Sequence, residues 1–160
     1  MTKLKQSLIN FLKRGENKMD PRFLQFINSK IKTKVDYDGY YGAQCVDLYR
    51  EYCKVMYGIT DLEMLGEGGA RDIYLKYNEF PNERRYFVQL DAKKHSFAKS
   101  GDIAIWDKTE TNPYGHVAIV VDDQVQDILV LEQDGFKQDG CKLALRSKNN
   151  LLGYLMRYEP

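Results

Sequence analysis

Hydrophobic residues in the first third of the chain recur at steps of three and four. Leu4, Leu8, Phe11 and Leu12 form one such stripe, which Gly15 interrupts. A second short helix is predicted next: Asp20 supplies an N-cap, Pro21 suits the first helical position, and Phe23, Leu24, Phe26 and Ile27 provide its apolar surface. The spacing returns at Cys45, Tyr49, Tyr52, Cys53 and Met56, so a helix is predicted to open at Cys45 and to end at Gly58, which can adopt the left-handed conformation. A further short helix is predicted near 70–77. Beyond that point the pattern shifts to short β-rich runs at 86–90, 102–106, 116–121, 128–133, 142–146 and 151–158. Helices first and strands afterwards predict an α+β fold, with N-terminal helices packed on one side of an antiparallel β-sheet. There is no internal repeat and no low-complexity linker. Residues 1–35 are therefore expected to be an N-terminal helical segment of the same domain as residues 36–160.

Composition narrows the function classes. A chain of 160 residues with 43% hydrophobic content can bury one sizeable core. Its 24 basic and 23 acidic residues leave a net charge of +1, which gives no electrostatic footprint for a nucleic-acid partner. No run is long and apolar enough for stable membrane insertion. The first 14 residues are basic and amphipathic, but they lack a continuous apolar stretch and a small-residue cleavage site, so no secretory signal peptide is expected. Lys3, Lys5, Lys13, Arg14 and Lys18 suit a membrane surface or, more plainly, a solvated helix face. Three cysteines without CxxC spacing suggest neither a disulfide framework nor a zinc site, and at least one thiol should be free. A monomer is expected.

The chemistry concentrates in DYDGYYGAQCVDL, residues 36–48. A cysteine opening a helix lies at the positive end of the macrodipole, which favours thiolate over thiol. Cys45 is thus a candidate nucleophile, against the plainer reading of a small buried apolar residue. Cys53, two turns into the helix, and Cys141, after an Asp-Gly turn, fit the plainer reading. A thiolate needs a base, and the chain has two histidines. His95 falls in a lysine-rich loop and is expected to be solvated, whereas His116 enters the apolar strand HVAIVV. With 122–126 as a polar hairpin loop and Val120 opposite Ile128, His116 would lie directly opposite Glu132, within reach of a carboxylate–imidazole contact. Such a pair is either structural or the base and orienting acid of a cysteine hydrolase. The carboxylates of the same stretch admit a second use. Asp36, Asp38, Tyr40, Gly42 and Asp47 occupy the first, third, fifth, seventh and twelfth positions of an EF-hand-like spacing, with Tyr40 and Gly42 offering backbone carbonyls. Tyr41 stands where an EF-hand carries glycine, and the twelfth ligand is Asp rather than Glu. An Asp-Gly turn with solvated acids is the competing reading.

Taken together, DYDGYYGAQCVDL, SGDIAIWD, YGHVAIVV and VLEQDG resemble the CHAP domain, the cysteine- and histidine-dependent amidohydrolase/peptidase module of endolysins from phages of Gram-positive bacteria. The similarity runs from about residue 36 to the terminal LMRYEP. It implies a papain-like α+β fold, cleavage of a peptidoglycan amide bond, and the roles of nucleophile for Cys45, base for His116 and orienting acid for Glu132. Some phage members bind calcium at acids around the cysteine, which map to Asp36, Asp38 and Asp47 with the carbonyls of Tyr40 and Gly42. Bacterial peptidoglycan is the implied partner, reached from the host cytoplasm once the lysis machinery releases the enzyme. Many relatives read EQN where this chain reads Glu132, Gln133 and Asp134. Many endolysins also carry a separate wall-binding domain, so a stand-alone enzyme and an excerpt from a longer one both remain open, as do amidase and endopeptidase specificity. Two alternatives stand beside this reading. An NlpC/P60-like wall peptidase generally uses a second histidine where this chain offers Glu132, and a non-catalytic calcium-dependent wall-binding module would not call for a cysteine at a helix start.

Overall fold

The computed structural model describes residues 1–14 and 19–158. Three helices come first: α1 (Lys3–Arg14), α2 (Pro21–Lys30) and α3 (Cys45–Tyr57). A 3-10 turn at Gly69–Arg71, the single-turn α4 (Asp72–Leu75), a second 3-10 turn at Tyr77–Glu79 and α5 (Pro81–Tyr86) then lead into the strands. These are β1 (Phe87–Asp91), β2 (Ile103–Trp106), β3 (His116–Gln124), β4 (Asp127–Glu132), β5 (Lys142–Ser147) and β6 (Leu151–Arg157). They form one sheet in the order β1-β6-β2-β3-β4-β5, antiparallel throughout.

Local sequence accounts for the helix ends that matter most. Asp20 caps α2 by accepting from the Arg22 N–H at 2.9 Å, and Pro21 takes the first helical position, where a missing N–H has no consequence. At the start of α3 the Asp47 carboxylate accepts from the Gln44 N–H at 2.9 Å, the carboxylate half of a capping box. At its end Gly58 takes φ 69° and returns its N–H to the Lys54 carbonyl. Gly15 and Lys18 lie outside the described residues.

The sheet carries apolar side chains on both faces. One face, with Ile103, Ile105, Val117, Ile119, Leu129, Leu131 and Leu155, packs against Leu48, Tyr49, Tyr52 and Met56 of α3 and Phe23, Phe26 and Ile27 of α2. Tyr52, wholly buried, ties these layers together. Its ring meets Phe23 and Phe26 edge-on at 5.4 Å each, and its hydroxyl donates to the Gly101 carbonyl at 2.8 Å. Truncating an aromatic in such a position typically costs about 3–5 kcal/mol. Leu4, Leu8 and Phe11 of α1 lie against the same core, so its apolar stripe is used internally and its basic residues face solvent. A smaller cluster on the opposite face comprises Ala104, Trp106, Ala118, Val120, Ile128, Val130 and Tyr154. Among the described residues no helix is long and apolar enough to cross a membrane.

Each predicted β-rich run contains a strand, but two expectations change. The region near 70–77 is not one helix, because it breaks into 3-10 and α turns, and Pro81 restarts a helix that the apolar pattern did not signal. The β3–β4 hairpin is also tighter than expected. Val120 pairs with Val130 rather than Ile128, a bulge falls between Val120 and Asp122, and Ile128 pairs with Asp123. Asp122 and Asp123 belong to the strand, not to a loop. The buried Asp123 carboxylate accepts from the Ala98 N–H at 2.8 Å and pairs with Lys148 at 2.8 Å, while Asp122 accepts from Gln124 Nε2 at 2.8 Å and pairs with Arg14.

Candidate active site

Three elements converge on one end of the sheet, the N-terminus of α3, the first residue of β3 and the last of β4, and the Arg146 side chain reaches them from farther along β5. His116 sits opposite Trp106 in the β2–β3 ladder, with ring centroids 5.9 Å apart, and is 9% exposed. Its Nε2 meets Glu132 Oε1 at 3.2 Å. The expected contact is therefore present, though not as a directly opposed pair. The true register places Glu132 two residues out of line with His116. A slip of two keeps both side chains on one face, whereas a slip of one would have separated them.

Glu132 is 1% exposed and accepts a second pair of bonds, from Arg146 Nε at 2.6 Å and Nη2 at 2.7 Å. Burial works against its charge, but the hydrogen bonds from His116 and Arg146 outweigh it and hold the carboxyl down at about 2. Burial likewise disfavours the imidazolium of His116, and the hydrogen bonds and negative charge of Cys45 and Glu132 overcome it, raising the group to about 9. Cys45 is thus in side-chain contact with His116, half-buried at the first residue of α3. Glu132 engages Nε2 of the ring, and Cys45 faces the same imidazole. This arrangement suits proton exchange between Cys45 and His116.

The three other candidates fall where sequence placed them. His95 is exposed. Cys53 is wholly buried and Cys141 is 1% exposed, and burial pushes both thiols up, Cys141 to about 12. Both are inert packing residues.

The loop before α3 is held by side chains that sequence reasoning did not single out. Gln133, wholly buried, accepts from the Val35 N–H at 2.7 Å and donates to the carbonyls of Val35 at 2.8 Å and Gln44 at 2.9 Å. Gln138 accepts from the Ala43 N–H and donates to the Ala43 carbonyl, both at 3.1 Å. Gly42 has φ 74°, and a Cβ there would lie 2.7 Å from Gln138 Oε1, so both conformation and close approach favour glycine. Within this loop the carboxylate oxygens of Asp36, Asp38 and Asp47 converge to within 4.8 Å of one another. Burial, against the lowering effect of the Gln44 N–H and together with the charges of Asp38 and Asp36, raises the Asp47 carboxyl to about 6. Arg50 lies 3.9 Å from Asp38. Such a cluster fits a hard cation with oxygen ligands. Tyr40 and Gly42 share the loop, and Tyr41 takes φ 62°, supplying the left-handed turn for which an EF-hand uses glycine.

The comparisons with known proteins agree with this geometry. The CHAP domain profile matches residues 35–134. The chain belongs to the CHAP domain family. As a CHAP domain it is similar to the Endolysin PlyTW of Staphylococcus phage Twort (strain DSM 17442 / HER 48), at 34% identity over 113 residues, covering 68% of this chain and 22% of the relative. It is also similar to the D-alanyl-L-alanine endopeptidase of Streptococcus phage B30, at 36% identity over 85 residues, 52% of this chain and 18% of the relative. The chain spans about a fifth of the length of these curated relatives. Among solved structures, the endolysin LysIME-EF1 superposes with a TM-score of 0.59 at 18% identity, covering 83% of this chain and 61% of that one. Ly7917, crystallised with the hydrolysing product of MDP, superposes at 0.56 and 17% identity over 71% of this chain and 53% of that one. These likenesses establish the α+β, papain-like CHAP fold.

In this CHAP domain Asp134 stands where many relatives carry asparagine. Its Oδ1 accepts from the N–H groups of Phe136 at 2.9 Å and Lys137 at 3.3 Å, so it builds the turn that carries Gln138. Arg146 escaped sequence reasoning, because in KLALR it shares its period with Lys142 and Ala144 rather than with Leu143 and Leu145, and so reads as a solvated charge.

Exposure separates the three thiols. Brief treatment of the native protein with iodoacetamide, followed by peptide mass mapping, should modify Cys45, with Cys53 and Cys141 labelled only after denaturation.

Proposed function

We propose that this chain is the catalytic module of an endolysin-type peptidoglycan hydrolase, cleaving an amide bond of the bacterial cell wall with Cys45 as nucleophile, His116 as proton carrier and Glu132 as its orienting acid. The observation that carries the reading is the contact of Cys45 at a helix start with a buried His116 that is itself held by Glu132. The names of the relatives, an endolysin and a D-alanyl-L-alanine endopeptidase, support the substrate class. On this reading the monomer acts on peptidoglycan after the lysis machinery gives it access from the host cytoplasm.

The chemistry is acyl transfer. The Cys45 thiolate attacks the scissile carbonyl carbon, and the backbone N–H at the start of α3 is the donor that would stabilise the oxyanion. The tetrahedral intermediate collapses to a thioester as the C–N bond breaks, and the imidazolium of His116 protonates the departing amine. Neutral His116 then takes a proton from water, hydroxide displaces the thiolate, and the acid product leaves. Burial of the His116–Glu132 contact keeps water from competing for these bonds.

Asp36, Asp38 and Asp47, with the carbonyls of Tyr40 and Gly42, are the residues that would hold a calcium ion. The ion would neutralise converging carboxylates and stiffen the loop that enters α3, and no reaction step passes through it.

Digestion of purified Gram-positive peptidoglycan followed by mass spectrometry tests the proposal. New amino termini within stems or bridges mark an endopeptidase, and intact stems with free lactyl groups mark an amidase. Cys45→Ala should give neither while retaining its melting temperature, and undiminished product from this variant would refute the reading.

The direction of the His116 shift sets the alkaline side of the pH profile. A raised value means that the imidazolium, and the stability that its charge contributes, is complete below its ordinary value of about 6.5 and lost as pH rises through about 9. Turnover of a soluble muropeptide should fall over that range. Glu132→Gln, which accepts a hydrogen bond but carries no charge, should retain activity and bring the decline to lower pH.

For the metal, EDTA is expected to lower both melting temperature and lytic rate. Calcium at about 100 times its Kd should restore about 2.7 kcal/mol of stability, with magnesium restoring little because it demands a smaller octahedral shell. Titration calorimetry on the stripped protein reads this directly, and absence of calcium binding would return the acids to a solvated turn.

A further inference from the structure

We infer that Arg146 is a positioning residue of this site: its guanidinium locks the Glu132 carboxylate in place and offsets its charge, and so sets how strongly His116 retains its proton. The inference rests on the cysteine-hydrolase reading for its consequence in turnover, but not for its geometry.

Arg146 lies on β5, where it pairs with Ile128, while Glu132 pairs with Lys142. The guanidinium must therefore travel back along the strand to reach Glu132. Ala144, paired with Val130 between them, offers only a methyl group and leaves a lane for the arginine stem on that face. At the end of the lane Nε donates to Oε1 at 2.6 Å and Nη2 to Oε2 at 2.7 Å, a fork that engages both oxygens. The carboxylate then cannot rotate without breaking two charge-assisted bonds.

The sharing of Oε1 matters most. It serves His116 Nε2 at 3.2 Å and Arg146 Nε at 2.6 Å, so the closer donor is the arginine. Glu132 thus offers His116 a well-aimed acceptor whose negative charge is already partly met. The groups facing His116 are Cys45 from α3, Glu132 from β4 and the Trp106 ring from β2, and Arg146 acts through Glu132 from β5. Asp134 and Cys45 are the further charges felt by the guanidinium. An unopposed buried carboxylate would bind the imidazolium more tightly and leave a poorer acid for the departing amine. A lysine could supply the charge but not the fork.

The test uses proton NMR titration of the two imidazoles in the full chain, with exposed His95 as an internal reference for an intact fold. Arg146→Met, which keeps an apolar stem and removes the charge, should raise the His116 midpoint by about one pH unit. Arg146→Lys should leave that midpoint within about 0.3 units yet lower turnover of a soluble muropeptide several-fold, because charge returns without alignment. If the methionine variant does not fold, Arg146→Gln replaces it with the same expected direction. A His116 midpoint that stays put or falls in a folded, charge-free variant overturns the inference, as does full turnover in Arg146→Lys. The titration needs no substrate, so it can fail while the hydrolase reading stands, and it can succeed on a protein that cleaves no peptidoglycan.

Discussion

Two neighbouring residues at the end of β4 face opposite ways, and the site depends on that alternation. Glu132 turns to one face of the sheet and holds His116, while Gln133 turns to the other and holds the backbone of Val35 and Gln44. The strand end therefore fixes His116 and the start of α3 at once, the imidazole through a carboxylate and Cys45 through the residue that precedes it. Both side chains are almost wholly buried, so their hydrogen bonds act where water does not compete and where a missing partner would cost about 1–3 kcal/mol. Such a pair gives little freedom to either side. That rigidity suits a mechanism in which a proton must move between Cys45, His116 and the leaving group over short distances.

The second constraint is the loop at residues 36–44. Gln133 and Gln138 hold its later part through backbone contacts, and Asp47 reaches back from the first turn of α3 to cap the Gln44 N–H. The same Asp47 also meets Asp36 and Asp38. The carboxylate that caps α3 is thus where the proposed cation would act on Cys45 without touching substrate. The positive φ at Tyr41 has a cost of about 1–2 kcal/mol for a residue with a side chain, which is consistent with a loop whose shape is held by more than its own preferences.

Much of this architecture was legible in the chain. The six strands read clearly because each is a short apolar run between turn residues, and α3 read clearly because its apolar stripe ends at a glycine able to take the left-handed conformation. The hairpin register did not. Asp122 and Asp123 look like loop residues, and contacts with Arg14 and Gln124 for the first and with Lys148 and Ala98 for the second explain why they remain in a strand. Helix α5 was missed because PNERRY offers no helical apolar stripe, and its Glu83 is buried by accepting from the Glu63 N–H, a tertiary contact. Cys45, His116 and Glu132 could be named from their local settings. Arg146 and Gln133 could not, since their partners lie on other elements and become visible only when the sheet is assembled.

If the end of β4 couples the two halves of the site, Gln133 and Cys45 must act on His116 as one unit. A double-mutant cycle on the His116 titration midpoint measures this directly, using wild type, Gln133→Leu, Cys45→Ala and the double variant. Each single substitution should lower the midpoint, and the double variant should fall no further than Cys45→Ala alone, because the glutamine acts only through the placement of the thiol. Additive shifts, or a Gln133→Leu protein whose His116 titrates as in the wild type, would contradict that coupling.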